Sequence, residues 1–248
     1  MSTGVIFSFA AGIKKVLRRL KKPVFSVLFH GRARWCPICE KSSRKFLRFG
    51  DPERQDARCP RCGSLERHRL AWRYFLRMTD LFDGRPKKML HVAPEPCLAS
   101  RLQRRLGEGY LSADLLDPAA MVKMDVTAIQ FPDEFFDVVY CSHVLEHVVD
   151  DRKAMREFYR VLKPGGWAVL LVPISAERTV EDPAIVKPED RRKAFGQEDH
   201  VRSYGPDYIE RLREVGFTIK VFRPGDFCDS GEARSLGLGG EICYCLKP

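Results

Sequence analysis

From residue 88 to the C-terminus, short apolar runs alternate with amphipathic stretches, and this alternation limits the chain to one broad architecture. Seven runs read as strands, at 88–93, 110–113, 122–126, 136–141, 167–172, 217–222 and 242–246. Apolar residues at helical spacing fill 98–106 and 152–162 between them. Strands that alternate with helices predict an α/β fold, a Rossmann-like, mostly parallel sheet covered on both faces. A chain of 248 residues exceeds one ordinary domain without reaching two, so a small appendage beside a catalytic-sized domain is expected.

The appendage announces itself through cysteine spacing. Cys36-Pro-Ile-Cys39 and Cys59-Pro-Arg-Cys62-Gly63 are two C-x2-C pairs, each of which turns two sulfurs to one side. Brought together, Cys36, Cys39, Cys59 and Cys62 make a tetrahedral four-thiolate Zn2+ site. Four thiolates leave no position for a reactive water, so the zinc ribbon is expected to be structural. A helix over 65–76 follows, and His68 within it is expected at the surface or between domains. The stretch 84–88 reads as a linker. The predicted organisation is a basic amphipathic helix in 1–30, a zinc ribbon with its linking helix in 31–84, and a catalytic domain in 85–248.

Charge divides along the same lines. The net charge of +10 conceals 22 Lys and Arg against 7 Asp and Glu in residues 1–88, and 21 against 26 in residues 89–248. Phe9, Ile13, Val16, Leu17 and Leu20 form an apolar stripe among six Lys and Arg residues between 14 and 22. Such a helix could dock on its own protein, on an anionic membrane surface or on RNA. The first residues lack the charged-then-apolar order of a signal peptide, and no run approaches the ~20 apolar residues of a spanning helix. With cysteines spaced for metal, this predicts a cytoplasmic protein, peripheral at the membrane if the basic helix meets one.

In open α/β sheets ligands lie outside the carboxyl ends of the strands. Asp114 follows the second strand there, where a carboxylate can accept hydrogen bonds from both hydroxyls of a ribose. The fourth strand runs into Ser142-His143-Val144-Leu145-Glu146-His147, polar where a core strand has just ended.

Two stretches carry a specific resemblance. Residues 124–148, with Phe135 and Phe136 before Asp137-Val-Val and then Leu145-Glu-His-Val, and residues 155–173, with Arg160-Val-Leu-Lys-Pro-Gly-Gly, resemble the class I S-adenosylmethionine-dependent methyltransferases, in particular the type-11 group. The resemblance covers roughly 88–222. It implies a seven-stranded sheet with the last strand, 242–246, antiparallel. It further implies that Asp114 holds the ribose of S-adenosylmethionine, that Asp125 and Val126 flank the adenine, and that Cys141, Ser142 and His143 line the methionine end and the acceptor.

The first motif departs from the family pattern. Family members place an acidic residue and a Gly-x-Gly turn there, where this chain has His91 and then Ala93, Pro94 and Glu95. A stiffer loop results, and Glu95 is the candidate carboxylate for the cofactor's ammonium. The polar segment 175–205 between the fifth strand and the next helix reads as a lid over the acceptor.

Methyl transfer from a sulfonium is an in-line displacement, so the protein aligns the acceptor and removes a proton. His143, His200 and His147 are the candidate bases. The sequence leads to a methyltransferase acting on a hydroxyl or amine of a small-molecule, lipid-linked or glycan acceptor. Two alternatives stay open: an RNA methyltransferase that holds RNA with its basic ribbon, and a non-catalytic ribbon adaptor with a degenerate cofactor site.

Overall fold

A computed structural model describes residues 28–248. The basic helix expected near the N-terminus lies outside the described residues. Two hairpins come first: β1 (Arg34–Cys36) with β2 (Lys41–Ser43), and β3 (Leu47–Phe49) with β4 (Arg54–Arg58). Helix α1 (Glu66–Met78) then leads into the large sheet.

That sheet is built from β5 (Met89–Val92), β6 (Tyr110–Asp114), β7 (Val122–Lys123), β8 (Phe136–Ser142), β9 (Leu162–Leu171), β12 (Thr218–Phe222) and β13 (Ile242–Leu246). Helices α2 (Pro96–Leu106), α3 (Asp151–Val161) and α5 (Tyr208–Val215) link its strands. In space the order is β12-β13-β9-β8-β5-β6-β7. The pairs among β5 to β9 are parallel, while β13 runs antiparallel to both β9 and β12. The expected seven-stranded, mostly parallel sheet with an antiparallel last strand is therefore present.

The period of two along the central strands divides the core into two layers. Val139 and Cys141 of β8 and Ala168 and Leu170 of β9 face α3 and α5, where they meet Met155, Phe158 and Leu212. Val138, Tyr140, Trp167 and Val169 face the other way, toward Leu70, Phe75, Leu98 and Leu102 of α1 and α2. Cys36, Ile38, Phe46 and Cys59 of the hairpins belong to this second cluster. The ribbon and the sheet thus share one apolar core.

Two strand boundaries differ from the expectation. β7 stops at Lys123, because Asp125 accepts hydrogen bonds from its own neighbour Thr127 and turns the chain, while Met124 and Val126 drop into the core. β9 begins at Leu162 instead of 167: Lys163-Pro-Gly-Gly forms a bulge within the strand, its register shifting between Phe136 and Val138. Gly166 is required there, since a Cβ would stand 2.8 Å from the Lys163 carbonyl oxygen and 3.0 Å from that of Asp137.

The segment 172–207 carries β10 (Val180–Glu181), α4 (Pro188–Phe195) and β11 (Arg202–Ser203). Arg202 pins it to the loop after β8, donating to the carbonyls of Leu145 and Val149, each at 2.8 Å, and to that of Val148. A final helix, α6 (Ser230–Leu236), packs back against β1. No helix among the described residues is long and apolar enough to cross a membrane.

Candidate active site and metal centre

The four ribbon cysteines converge. Cys36 closes β1 and its turn bonds Glu40 N–H to the Cys36 carbonyl; the second turn bonds Gly63 N–H to the Cys59 carbonyl. Sγ of Cys36 lies 3.6 Å from that of Cys62, and Sγ of Cys39 lies 3.8 Å from that of Cys59. Four sulfurs at ~2.3 Å from a tetrahedral ion are separated by ~3.8 Å, so the cluster has the dimensions of a closed tetrathiolate. Buried Arg69 braces it from α1, donating to Ser64 O at 2.6 Å, Ala57 O at 3.0 Å, Leu236 O at 2.7 Å and Gly237 O at 2.6 Å.

The first motif, from the end of β5 into its following turn, forms a compact polar knot with Tyr110 at the start of β6 and Tyr140 in β8. His91 is fully buried, with Nδ1 2.9 Å from the Tyr110 hydroxyl and Nε2 2.8 Å from Glu95 Oε2. The Tyr140 hydroxyl donates to Glu95 Oε1 at 3.3 Å. Burial alone would raise the Glu95 carboxyl, but the His91 hydrogen bond together with the electrostatic pull of His91 and His68 brings the group down to about 2. Glu95 keeps 13% of its side chain exposed.

Ala93 adopts φ +47°, a left-handed conformation that ordinarily calls for glycine, and its N–H donates to Ala113 O at 2.8 Å. The turn is therefore made without the glycine. Holding an alanine there costs about 1 kcal/mol.

Asp114 ends β6 with Oδ1 accepting from the N–H groups of Leu116 and Asp117, at 2.7 and 2.8 Å. Leu115 and Leu116 are exposed beside it. Asp125 lies exposed past β7, with Val126 buried next to it, and Met124 N–H donates to Asp114 O at 2.9 Å, which ties the two loops together. Cys141 faces the core, where burial pushes its thiol well up. Ser142 ends β8 with a buried hydroxyl that has no hydrogen-bond partner.

The three candidate bases gather around a residue that the sequence reading passed over. His143 sits at φ +56°, fixed by its N–H on Leu171 O, and its Nδ1 lies 3.4 Å from Glu146 Oε1. Glu146 is 1% exposed, and its Oε2 has no partner. His147, exposed, places Nδ1 3.3 Å from Asp199 O and 3.2 Å from Asp199 Oδ2. His200 arrives from the 172–207 segment with Nδ1 3.2 Å from Phe195 O, its ring centroid 4.8 Å from that of His147. Burial lowers the His200 imidazole. The signal for Glu146 was its spacing: the 3-10 turn Leu145–His147 brings i and i+3 together.

His68 also arrives at this end of the sheet, from α1. It is buried, with Nδ1 accepting from Leu65 N–H at 3.2 Å and Nε2 3.5 Å from Glu95 Oε1. Of the two places expected for it, surface and domain junction, it occupies the second.

Comparison with known proteins bears on the same region. Residues 83–170 match the family described as "Methyltransferase domain". Similar curated proteins include the ubiquinone/menaquinone biosynthesis C-methyltransferases of Pectobacterium carotovorum, 44% identical over 57 residues, 23% of either chain, and of Vibrio campbellii, 44% identical over 50 residues, 20% of this chain and 19% of that protein. The chain thus spans less than a quarter of the curated relatives it matches. Similar solved structures include an S-adenosylmethionine-dependent methyltransferase from Mesorhizobium loti, with 16% identity over 64% of this chain and 90% of that one and a TM-score of 0.45. Another is the Burkholderia thailandensis 1,6-didemethyltoxoflavin-N1-methyltransferase, with 16% identity over 68% of this chain and 74% of that one and a TM-score of 0.46. Residues 83–170 of this chain thus match a methyltransferase domain, and the four-cysteine cluster lies N-terminal to the match.

Proposed function

We propose that the protein transfers the methyl group of S-adenosylmethionine to a hydroxyl or amine of a small-molecule, lipid-linked or glycan acceptor. The observation that carries this reading is Ala93, which holds at φ +47° the turn that brings the backbone to a cofactor although glycine is missing. The edge has the groups the cofactor needs. Asp114 offers a carboxylate for the ribose, the exposed Leu115 and Leu116 beside it offer apolar surface for the adenine, and the unpartnered Ser142 hydroxyl and Glu95 are our candidates for the methionine end. His91 and Cys141 shape the floor from within, one through Glu95 and the other as core.

S-adenosylmethionine, when bound, supplies an electrophilic methyl on a sulfonium. The chain's own part is to align the acceptor and take its proton. His143, at the end of β8 and with its backbone fixed, is placed for that proton, while His147 and His200 close the far side with the 172–207 segment. The same segment lines a cavity of about 570 Å³ with Asp151, Glu181, Val186, Arg191 and Arg202, and none of the three histidines lines it.

We assign Zn2+ to the ribbon, on the tetrahedral sulfur spacing, and a reducing cytoplasmic setting, on cysteine pairs spaced for metal. One observation favours RNA as a second reading: in the β3–β4 hairpin the half-exposed Phe49 carries Arg58 5.4 Å from its ring centroid, beside a groove lined by Arg44, Lys45 and Arg48.

Calorimetric titration of S-adenosylmethionine and S-adenosylhomocysteine into the full-length, zinc-loaded protein tests the reading. Micromolar binding, lost in Asp114→Ala, is expected. Absence of binding by both ligands would overturn it and leave the adaptor. RNA affinity that falls steeply with added salt would replace the small acceptor by RNA.

A further inference from the structure

We infer that Glu146, His147 and His200 form a second metal site, distinct from the ribbon, that takes one divalent transition-metal ion such as Mn2+ at the acceptor end of the sheet. One carboxylate oxygen of Glu146 and one ring nitrogen each of His147 and His200 lie within 4.8 Å of one another. Donors around one ion at ~2.1 Å are ~3–4 Å apart, so about an ångström of side-chain rotation closes the set.

Three independent features point to a cation. Glu146 is 1% exposed, yet its Oε2 has no hydrogen-bond partner, a state that leaves a buried acceptor seeking a positive charge. Both imidazoles are held through Nδ1 by oxygen: His200 donates to Phe195 O, and His147 to Asp199, whose carbonyl and carboxylate both approach it. With Nδ1 of each ring engaged by oxygen, Nε2 is the nitrogen left to offer an ion, the orientation that outer partners impose on metal-bound histidines. Finally, the ligands come from two elements, the turn after β8 and the 172–207 segment, which Val201 N–H joins by donating to Glu146 O at 2.9 Å.

A two-imidazole, one-carboxylate set suits Mn2+, Fe2+, Co2+ or Zn2+ better than Mg2+ or Ca2+, and three protein ligands leave coordination positions open. His143, on Glu146 Oε1, borders those positions. An acceptor hydroxyl bound there would be oriented toward the carboxyl ends of β5 and β8 and made easier to deprotonate, its proton passing to His143 as its oxygen takes the methyl. The substrate class this selects is an acceptor with two neighbouring oxygens that would both ligate the ion, one of them the hydroxyl that reacts. This last step rests on the methyl-transfer reading; the ion's binding does not.

The test is titration of Mn2+ into the full-length, zinc-loaded protein, followed by loss of the free-ion electron paramagnetic resonance signal. S-adenosylhomocysteine binding is measured on the same preparation. One Mn2+ per chain is expected, with affinity reduced at least tenfold in Glu146→Gln and in His147→Gln, and zinc content unchanged. His147 is exposed, so its variant reports even if Glu146→Gln fails to fold. Failure of Mn2+, Co2+ and Zn2+ beyond the ribbon equivalent to saturate a site, or binding indifferent to His147→Gln, would overturn the metal site while S-adenosylhomocysteine still bound. Metal binding without S-adenosylhomocysteine binding would instead sustain the site and remove the methyl-transfer reading.

Discussion

His68 of the ribbon-linked helix stands 3.5 Å from Glu95 of the first motif, so the appendage reaches the edge of the sheet where the cofactor is proposed to bind. The contact is buried, and its protonation has a consequence for stability. Burial lowers His68 from its ordinary 6.5 to about 4, against the pull of Glu95. The unfolded chain therefore binds more protons than the native one between those values. Stability from this group is fully present above about pH 6.5 and is lost as pH falls toward 4. Going from about pH 7.5 to about pH 5.5 should remove about 1 kcal/mol through this histidine. Urea unfolding of His68→Gln at the two pH values should show that increment missing; an unchanged pH dependence would refute the assignment.

The ribbon should not be separable from the sheet energetically. Cys36 and Cys59 lie in the same apolar cluster as Phe75, Val138 and Trp167, so loss of metal should loosen packing against β8 and β9 as well as the hairpins. Metal analysis should give about one zinc per chain at the tetrathiolate. Cys59→Ser should lose it and lower the melting temperature by about 10 °C in a single transition, at ~2–4 °C per kcal/mol. A separate early transition, with the main melt unmoved, would show that the two parts unfold independently.

Much of this was legible in the residues. Cys36, Cys39, Cys59 and Cys62 announce their cluster because a metal site demands fixed short spacing, and 242–246 announces β13 because a buried strand demands a continuous apolar run. What escaped depends on long-range encounters. His68 meets Glu95 only because α1 lies on the sheet, and Glu146 meets His200 only because the 172–207 segment folds back. Arg202 reads as a solvated charge until the carbonyls of Leu145, Val148 and Val149 are seen around it. The early end of β7 was hidden for a local reason, since Asp125 turns the chain with bonds that an apolar pattern does not show.

Arg69 should be among the least replaceable residues. It is fully buried, donates to the carbonyls of Ala57, Ser64, Leu236 and Gly237, and lies 4.3 Å from the Phe46 ring centroid. It thereby holds β4, the second cysteine turn and the end of α6 together. Arg69→Met keeps the length but strips the donors from several buried carbonyls, at about 4 kcal/mol. Lysine cannot restore the fork geometry. Urea unfolding should show a lowered midpoint with an unchanged slope for both variants; a loss below about 1 kcal/mol in Arg69→Met would mean water replaces the guanidinium.

The 172–207 segment should owe its position to Arg202 and Arg211. Arg202, its side chain 4% exposed, pairs with Glu181 at 2.8 Å, and Arg211 bridges Glu181 and Asp151, each also at 2.8 Å. Burial would raise the Glu181 carboxyl, but hydrogen bonds from Arg211 and Arg202 bring it down to about 2. The Tyr204 hydroxyl completes the network on Asp151 at 2.5 Å. Removing one member leaves buried partners uncompensated, at about 3–5 kcal/mol of local stability. Because that loss falls on the network that fastens β10 and β11 to the loop after β8, it should appear as local opening before global unfolding. In Arg202→Gln, amide hydrogen exchange should accelerate at least a hundredfold across 175–200 while β8 and β9 stay protected. Equal acceleration in the sheet would show that the segment is part of the core instead of a cover hinged upon it.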